Sequence, residues 1–309
     1  MILPTMYQQL INNFVSNELL PGNYAEDALK FFLPLLKNIE KLLKQKKLES
    51  RNFVFDFPML GIQGGQGTGK STMATLLTLL LRSKGIRVAQ LSLDDFYLSK
   101  TDRLDLAKNV HPLLSSRGVP GTHNTQLMGE TLDRLQHLRV GENLVLPSFD
   151  KSQDDLTEQA FLPEVEGPID LIILEGWFVG LNPESESALQ APINDLEANE
   201  DSDCSWRIYV NQKLATEYQE LFQHISLLVT LQAPDFKQII HWRTLQENKL
   251  QARSAENIDG IMDLRELKRF VQHFERLTRH GLATMPSTAD ITYQLDSNHR
   301  IIAGSIDPS

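Results

Sequence analysis

The sequence predicts an α/β protein with three layers, in which helices cover both faces of a mainly parallel central sheet. Three observations support this fold class. An apolar run at 58–62 is followed by a glycine-rich segment and then by leucines at helical spacing. Two further strand-like segments, 86–93 and 170–176, lead into acidic residues. Between these strands the chain carries helical patterns, which is typical of parallel sheets with crossover helices.

The glycine-rich segment reads G-x-x-x-x-G-K-S from Gly64 to Ser71, the signature of a phosphate-binding loop. Its glycines let backbone N–H groups turn toward an anion, and the helix that follows points the positive end of its dipole there. The lysine reaches the β- and γ-phosphates, and the serine hydroxyl binds Mg²⁺. A glycine-rich turn without a ligand is the alternative, and the flanking strand and helix argue against it. The predicted ATP-binding residues are Gly64, Gly65, Gly67, Thr68, Gly69, Lys70, Ser71 and Thr72. The predicted fold is therefore of the P-loop NTPase type.

Acidic residues stand at the ends of the two later strands. Asp94 and Asp95 follow 86–93, where carboxylates face the ligand crevice of a parallel sheet. One of them can accept a proton from an acceptor hydroxyl, although an Asp pair also caps helices, and only the upstream phosphate loop favours catalysis. Glu175 ends the strand 170–176. We expect Glu175, with Ser71, to hold Mg²⁺ or its bound water.

Two polar loops supply candidate contacts for an acceptor. Residues 101–125 are predicted to form a long loop, because the part at 111–123 contains two prolines and two glycines, which exclude a regular element. This part carries Arg117 and His123. An arginine there can clamp a carboxylate or a phosphate, and an exposed surface arginine is the alternative. Asp150 and Lys151 follow a short strand and are further candidates.

A late helix carries Arg243 within a predicted lid at about 235–260. An arginine on a mobile helix can cover the transferring phosphate. A solvated helix face is the alternative, and the helix by itself favours that alternative.

Residues 1–50 are predicted to form a helical extension to a nucleotide-binding domain at 51–309. Asn23 and Glu26 have the spacing of a capping box. Pro34 lies inside an apolar stripe, which predicts a kink or a break in the helix. The role of the extension is not evident from its sequence.

The composition restricts the class of partner. With 30 Lys and Arg against 40 Asp and Glu, the net charge is −10, which argues against a nucleic-acid or anionic-membrane surface. The acidic segment 182–205 is expected to be a solvated loop. Cys204 is the only cysteine, which fits a reducing compartment. Neither a membrane span of about 18 apolar residues nor a signal-like N-terminus is present, so we expect a soluble, cytoplasmic protein.

The motifs together resemble the glycerate kinases of the plant and cyanobacterial type, which are similar in core to uridine kinase, pantothenate kinase and phosphoribulokinase. The resemblance runs from about residue 53 to the end. It is carried by the segments 64–72, 91–97, 117–123, 147–152, 163–168, 174–177 and 242–243. The phosphate loop is common to many NTPases, and the segment 94–97 narrows the match to the uridine-kinase-like group. The segments 117–123, 150–152 and 175–177 indicate glycerate kinase.

This resemblance implies ATP-dependent phosphorylation of D-glycerate to 3-phosphoglycerate, with ATP and Mg²⁺ as cofactors. It implies that Asp94 is the general base, that the glycerate pocket lies near the two polar loops and that the lid carries Arg243. The predicted catalytic residues are Lys70, Asp94 and Arg243. The predicted substrate contacts are Asp94, Tyr97, Arg117, His123, Asp150 and Lys151.

Two classes of alternative remain open. A related kinase would act on pantothenate, a nucleoside or a sugar phosphate. A non-catalytic ATP-binding regulatory protein is the other class. A GTPase-type switch would carry Asn-Lys-x-Asp, whereas 248–251 reads N-K-L-Q. We expect a small-molecule substrate as the partner, with neither nucleic acid nor membrane.

Overall fold

The computed structural model of the protein describes residues 3–49, 57–253 and 264–306. Its strands are β1 (Met59–Gly64), β2 (Val88–Ser92), β3 (Asn143–Val145), β4 (Phe149–Asp150), β5 (Asp155–Leu156), β6 (Glu164–Glu166), β7 (Leu171–Gly176), β8 (Leu227–Gln232), β9 (Ile291–Leu295) and β10 (Ile301–Ile306). Its α-helices are α1 (Leu3–Asn17), α2 (Tyr24–Asp27), α3 (Leu33–Glu49), α4 (Lys70–Arg82), α5 (Lys100–Asn109), α6 (Thr125–His137), α7 (Asp195–Glu200), α8 (Ser205–Lys213), α9 (Gln219–Phe222), α10 (Phe236–Arg253) and α11 (Leu264–Thr288).

Six strands form the central sheet in the order β10-β9-β8-β1-β7-β2. All neighbouring pairs are parallel except β9 and β10, which are antiparallel at one edge. The predicted α/β fold with a mainly parallel sheet is therefore confirmed. The carboxyl ends of β1, β7 and β2 meet at one edge, because β7 pairs with both of the other strands. Ligands bind at this edge in open α/β sheets.

Apolar residues on both faces of the sheet form two cores. Along β7, Leu171 and Ile173 face one core, whereas Ile172 and Leu174 face the other. This alternation follows from the two-residue period of a strand. A strand buried on both sides is apolar throughout, which is why its sequence reads as a continuous hydrophobic run.

The N-terminal helices share the first of these cores. Ile11, Leu35 and Ile39 are fully buried there beside Leu77 and Leu80 of α4. The helical stretch widens to a π-helix at Ala28–Phe32, directly before α3, which contains Pro34. A π-helical turn is one way in which a helix accommodates a proline that lacks an N–H. The division into 1–50 and 51–309 stays a prediction.

Three local predictions were wrong. Asn23 precedes α2, but its side chain makes no capping hydrogen bond, so the predicted capping box does not form. Helix α5 covers the beginning of the region that was predicted to be a long loop. The acidic segment is not wholly solvated, because Glu197 and Asp201 are buried and paired with Arg276 and Arg207. Among the described residues, none of the helices is long and apolar enough to span a membrane.

Candidate active site

The phosphate loop is a tight turn between β1 and α4. Gly67 and Gly69 have φ angles of 80° and 89°, which residues with a side chain rarely adopt. A Cβ atom on Gly64 would lie 2.5 Å from Oγ1 of Thr68. The Thr68 hydroxyl donates a 2.8 Å hydrogen bond to the Gly65 carbonyl and closes the turn. The loop therefore has the strand, turn and helix order that a phosphate-binding nest requires.

Glu175 lies between the phosphate loop and the end of β2. The register of β7 pairs it with Ile62 on one side and with Ser92 on the other. Its Oε1 accepts a 2.6 Å hydrogen bond from the Ser71 hydroxyl. Its Oε2 is buried without a hydrogen-bond partner among the described residues and lies 4.0 Å from Nζ of Lys70.

A divalent cation fits this donor set. Carboxylate and hydroxyl oxygens are the ligands that Mg²⁺ prefers, and a buried carboxylate oxygen without a partner is costly unless a ligand satisfies it. Ser71 and Glu175, the two residues predicted to hold the metal, are in direct contact.

Asp94 lies in a 3₁₀ turn, Leu93–Phe96, that begins where β2 ends. Its Oδ1 accepts a 3.0 Å hydrogen bond from the Tyr97 hydroxyl, and its Oδ2 accepts a 2.6 Å bond from Nζ of Lys151. Burial raises the pKa of the Asp94 carboxyl, but the charges of Lys151 and Lys70 outweigh burial and lower this pKa to about 2. The carboxylate is therefore ionised at any working pH.

The neighbouring Asp95 has the opposite character. Burial raises the pKa of its carboxyl to about 6, although a hydrogen bond from the Phe149 backbone opposes the rise, and the charge of Asp94 adds to it. Two adjacent carboxyls with pKa values so far apart are suited to different roles.

A buried aromatic group lies against Asp94. The His123 ring stacks on Tyr97 at 4.4 Å between ring centroids, and its Nδ1 lies 2.8 Å from the Tyr218 hydroxyl. Burial lowers the pKa of His123 to about 3, with the charge of Asp94 opposing, so the imidazole is neutral. His123 Nε2 is buried and has no hydrogen-bond partner in the described part of the chain. Nothing in the sequence indicated a role for Tyr218, which lies 95 residues from His123.

Arg117 lies beside the same site but already has an acidic partner. Its guanidinium bonds to Asp154 and stacks over the Phe149 ring at 5.4 Å from the centroid. Asp154 also pairs with the buried Arg103 at 3.0 Å. An incoming anion therefore competes with Asp154 for Arg117.

Asp150 and Arg243 are the remaining predicted site residues. Oδ1 of Asp150 accepts bonds from the amide and hydroxyl of Ser152, so Asp150 orders the turn that carries Lys151. Arg243 lies on α10 and stacks over the Phe270 ring of α11 at 5.4 Å. The sequence of the predicted lid extends to residue 260, and 254–260 lie outside the described residues.

A cavity of about 320 Å³ lies beside the phosphate loop. It is lined by Gly67, Gly69 and Thr72 of the loop and by residues of the N-terminal helices, α10 and the β9–β10 turn. The volume is at the lower end of the range for small-molecule sites. Nothing in the sequence predicted this cavity.

The chain is similar to known proteins over most of its length. No protein-family model matches it. It is 35% identical over 246 residues to the uncharacterized kinase mug58 of Schizosaccharomyces pombe, covering 77% of this chain and 84% of that protein. It is 30% identical over 245 residues to the chloroplastic D-glycerate 3-kinase of Arabidopsis thaliana, covering 75% of this chain but only 50% of the plant protein. The D-glycerate 3-kinase structure from Cryptococcus neoformans superposes with a TM-score of 0.72 at 25% identity, covering 88% of this chain and 98% of that one.

Proposed function

Because the chain belongs to the kinase family that includes mug58 of Schizosaccharomyces pombe, we propose that it transfers the γ-phosphate of ATP to the 3-hydroxyl of D-glycerate. The acceptor is the one named for the plant and Cryptococcus relatives. The observation that carries the proposal is the position of Asp94. Its ionised carboxylate lies at the carboxyl end of β2, next to the strand that holds Glu175 and within the field of Lys70.

Asp94 provides the base for the reaction. Its carboxylate orients the acceptor hydroxyl and takes its proton as the oxygen–phosphorus bond forms and the bond to the departing ADP breaks. Its low pKa makes it a weak base, so its main contribution is to orient the hydroxyl while the phosphoryl group is already leaving ADP. Tyr97 and Lys151 fix the carboxylate through its two oxygens.

Cationic groups stabilise the negative charge on the phosphates. Lys70 begins α4 and can reach the β- and γ-phosphates from the loop. Mg²⁺, held by Ser71 and Glu175, would neutralise charge on the phosphate oxygens. Arg243 is proposed to approach the γ-phosphate when α10 moves toward the loop, where Ile239 already lies close to Gly65.

A small anionic acceptor fits the side of the site that is formed by Arg117, His123 and Lys151, which we call the acceptor wall. D-glycerate carries a carboxylate, and Arg117 is the guanidinium that can bind it once its pair with Asp154 opens. Lys151 is 59% exposed at its side chain and can contact the same anion. The neutral His123 has an unpartnered Nε2 near Asp94 that can bond an acceptor hydroxyl. Asp150 supports this wall by ordering the turn before Lys151.

A panel of acceptors tests the proposal against its alternatives. Purified protein with ATP and Mg²⁺ is incubated separately with D-glycerate, L-glycerate, pantothenate, uridine and ribulose 5-phosphate, and ADP release is measured. We expect release with D-glycerate well above the rate without acceptor. Release with only another acceptor would assign the kinase to that substrate. Nucleotide binding without turnover on any of them would favour a regulatory protein. A cytoplasmic location remains part of the proposal.

A further inference from the structure

The cavity beside the phosphate loop is placed where a nucleoside must lie. Residues Gly67–Thr72 form the end of the loop and the start of α4, so phosphates seated on the loop direct the rest of the nucleotide to this side. The cavity wall is mainly apolar and includes Met73, Leu231 and Trp242. An apolar cleft with few polar groups is what a planar base requires.

The outer wall of the cavity comes from the N-terminal extension. Leu20, Asn23, Tyr24 and Phe32 line it opposite the phosphate loop. These residues lie in a part of the chain for which the sequence indicated no role. Their contribution means that the extension does more than cover the sheet.

The β9–β10 turn holds the extension against the phosphate loop. Nε and Nη2 of Arg300 lie 2.9 and 3.0 Å from the two carboxylate oxygens of the buried Asp27. The preceding His299 lies 2.8 Å from the Gly67 carbonyl oxygen and stacks on Trp242 at 4.1 Å. Two adjacent residues therefore connect the extension and the loop, and they fix the width of the cavity between them.

Asn23 is a polar residue of this wall. Its side chain does not cap α2, although its position precedes that helix. An amide carries a donor and an acceptor and can bond the edge of a purine at two points. The Tyr24 hydroxyl is buried without a partner in the described part of the chain, which gives the wall a second group that has no hydrogen bond from the protein.

We infer that the segment 20–32 forms the base-binding wall of the nucleotide site and that the Asn23 side chain hydrogen-bonds the purine base of the nucleotide. This inference rests on the proposed use of ATP, and it assigns the extension a function in nucleotide selection. It does not depend on the identity of the acceptor.

Calorimetry with ADP and with pyrophosphate, both with Mg²⁺ and without an acceptor, tests the inference. The two probes differ by the adenosine group alone. Asn23→Ala is expected to raise the Kd for ADP about 3- to 10-fold, as for the loss of a hydrogen bond, and to leave the Kd for pyrophosphate within about twofold. Asn13→Ala is the matched control, because Asn13 is an exposed asparagine of the same extension outside the cavity.

A second variant tests the wall by shape. Leu20→Trp places a larger side chain at the cavity and should weaken the binding of ADP but not the binding of pyrophosphate. Unchanged ADP binding in both variants, or an equal loss for both probes, would overturn the inference. If the two variants weaken ADP binding but the unaltered protein does not phosphorylate D-glycerate, the inference about the base-binding wall holds and only the proposed acceptor is rejected. Point variants are needed because deletion of the extension would remove buried residues of the core.

Discussion

Nζ of Lys151 lies 2.6 Å from Oδ2 of Asp94, although the two residues are 57 positions apart in the sequence. Lys151 comes from the turn after β4, and Asp94 comes from the end of β2. Their pairing brings one of the two polar loops onto the sheet edge that carries the phosphate loop. The contact joins the proposed base to the proposed acceptor wall.

Replacement of Asp94 tests its role in orienting and deprotonating the acceptor hydroxyl. Asp94→Asn keeps the shape of the side chain but removes its charge, so we expect kcat to fall about 10²- to 10⁴-fold while ATP still binds. Steady-state kinetics and calorimetry with ADP measure the two effects. Asp105→Asn, at an exposed position of α5, should change neither. Normal turnover of the Asp94 variant would remove Asp94 from the mechanism.

Asp95 should make stability depend on pH. The pKa of its carboxyl is raised to about 6 in the folded protein, above the value of about 4 in an unfolded chain, so the folded state binds its proton more tightly. The stabilisation from this proton is complete below about pH 4 and is lost as pH rises through 6. Asp95→Asn is permanently neutral and should raise Tm by about 2–4 °C at pH 8 and little at pH 4.

Thermal melting without Mg²⁺ or nucleotide measures the effect of Asp95, since a bound cation would lower the pKa of a nearby carboxyl. An equal change in Tm at pH 4 and pH 8 would mean that the pKa of Asp95 is not raised. The activity of Asp95→Asn also shows which of the two carboxylates is the base. Only replacement of the base should lower kcat about 10²- to 10⁴-fold, so we expect a smaller loss for Asp95→Asn than for Asp94→Asn.

Glu175 should control the requirement for metal. Glu175→Gln removes the charge from a carboxylate whose Oε1 bonds the Ser71 hydroxyl and whose Oε2 is buried without a partner among the described residues. The Mg²⁺ concentration for half-maximal activity should therefore rise about 10- to 100-fold. A titration of activity with Mg²⁺ at saturating ATP measures this change. Glu164→Gln, at an exposed position of β6, is the matched control. An unchanged Mg²⁺ requirement would exclude Glu175 as a ligand.

Arg117 should determine the affinity for the acceptor. Arg117→Ala removes a charge-assisted contact with the glycerate carboxylate, and the KM for D-glycerate should rise about 10- to 100-fold with little change in the KM for ATP. Arg87→Ala is the control, since Arg87 pairs with Asp170 before the amino end of β2, at the opposite edge of the sheet. A KM for D-glycerate that does not change would remove Arg117 from the pocket.

The sequence predicted the parts of the site that depend on local chemistry. The phosphate loop, Asp94 and Glu175 each follow a strand whose apolar residues identify it, and parallel strands end at one edge. Their direct contacts, such as that of Ser71 with Glu175, follow from the strand order. These contacts do not depend on the position of any long loop.

The parts that the sequence did not predict depend on contacts between distant segments. Nothing near Tyr218 indicates that its hydroxyl would lie against His123, or that Arg117 would pair with Asp154. The cavity beside the phosphate loop combines five separate segments of the chain. The capping box failed for a related reason: a spacing of three residues is compatible with a cap but does not require it, and the Asn23 side chain lines the cavity.

The most direct test of the central claim is the identity of the phosphorylated product. ³¹P nuclear magnetic resonance of a reaction with D-glycerate, ATP and Mg²⁺ should show a phosphomonoester that splits into a triplet from the two C3 protons, in step with ADP, and Asp94→Asn should form it far more slowly. A doublet from the single C2 proton would move the reaction to the 2-hydroxyl. ATP binding without any new phosphomonoester would contradict the assignment of D-glycerate as the acceptor.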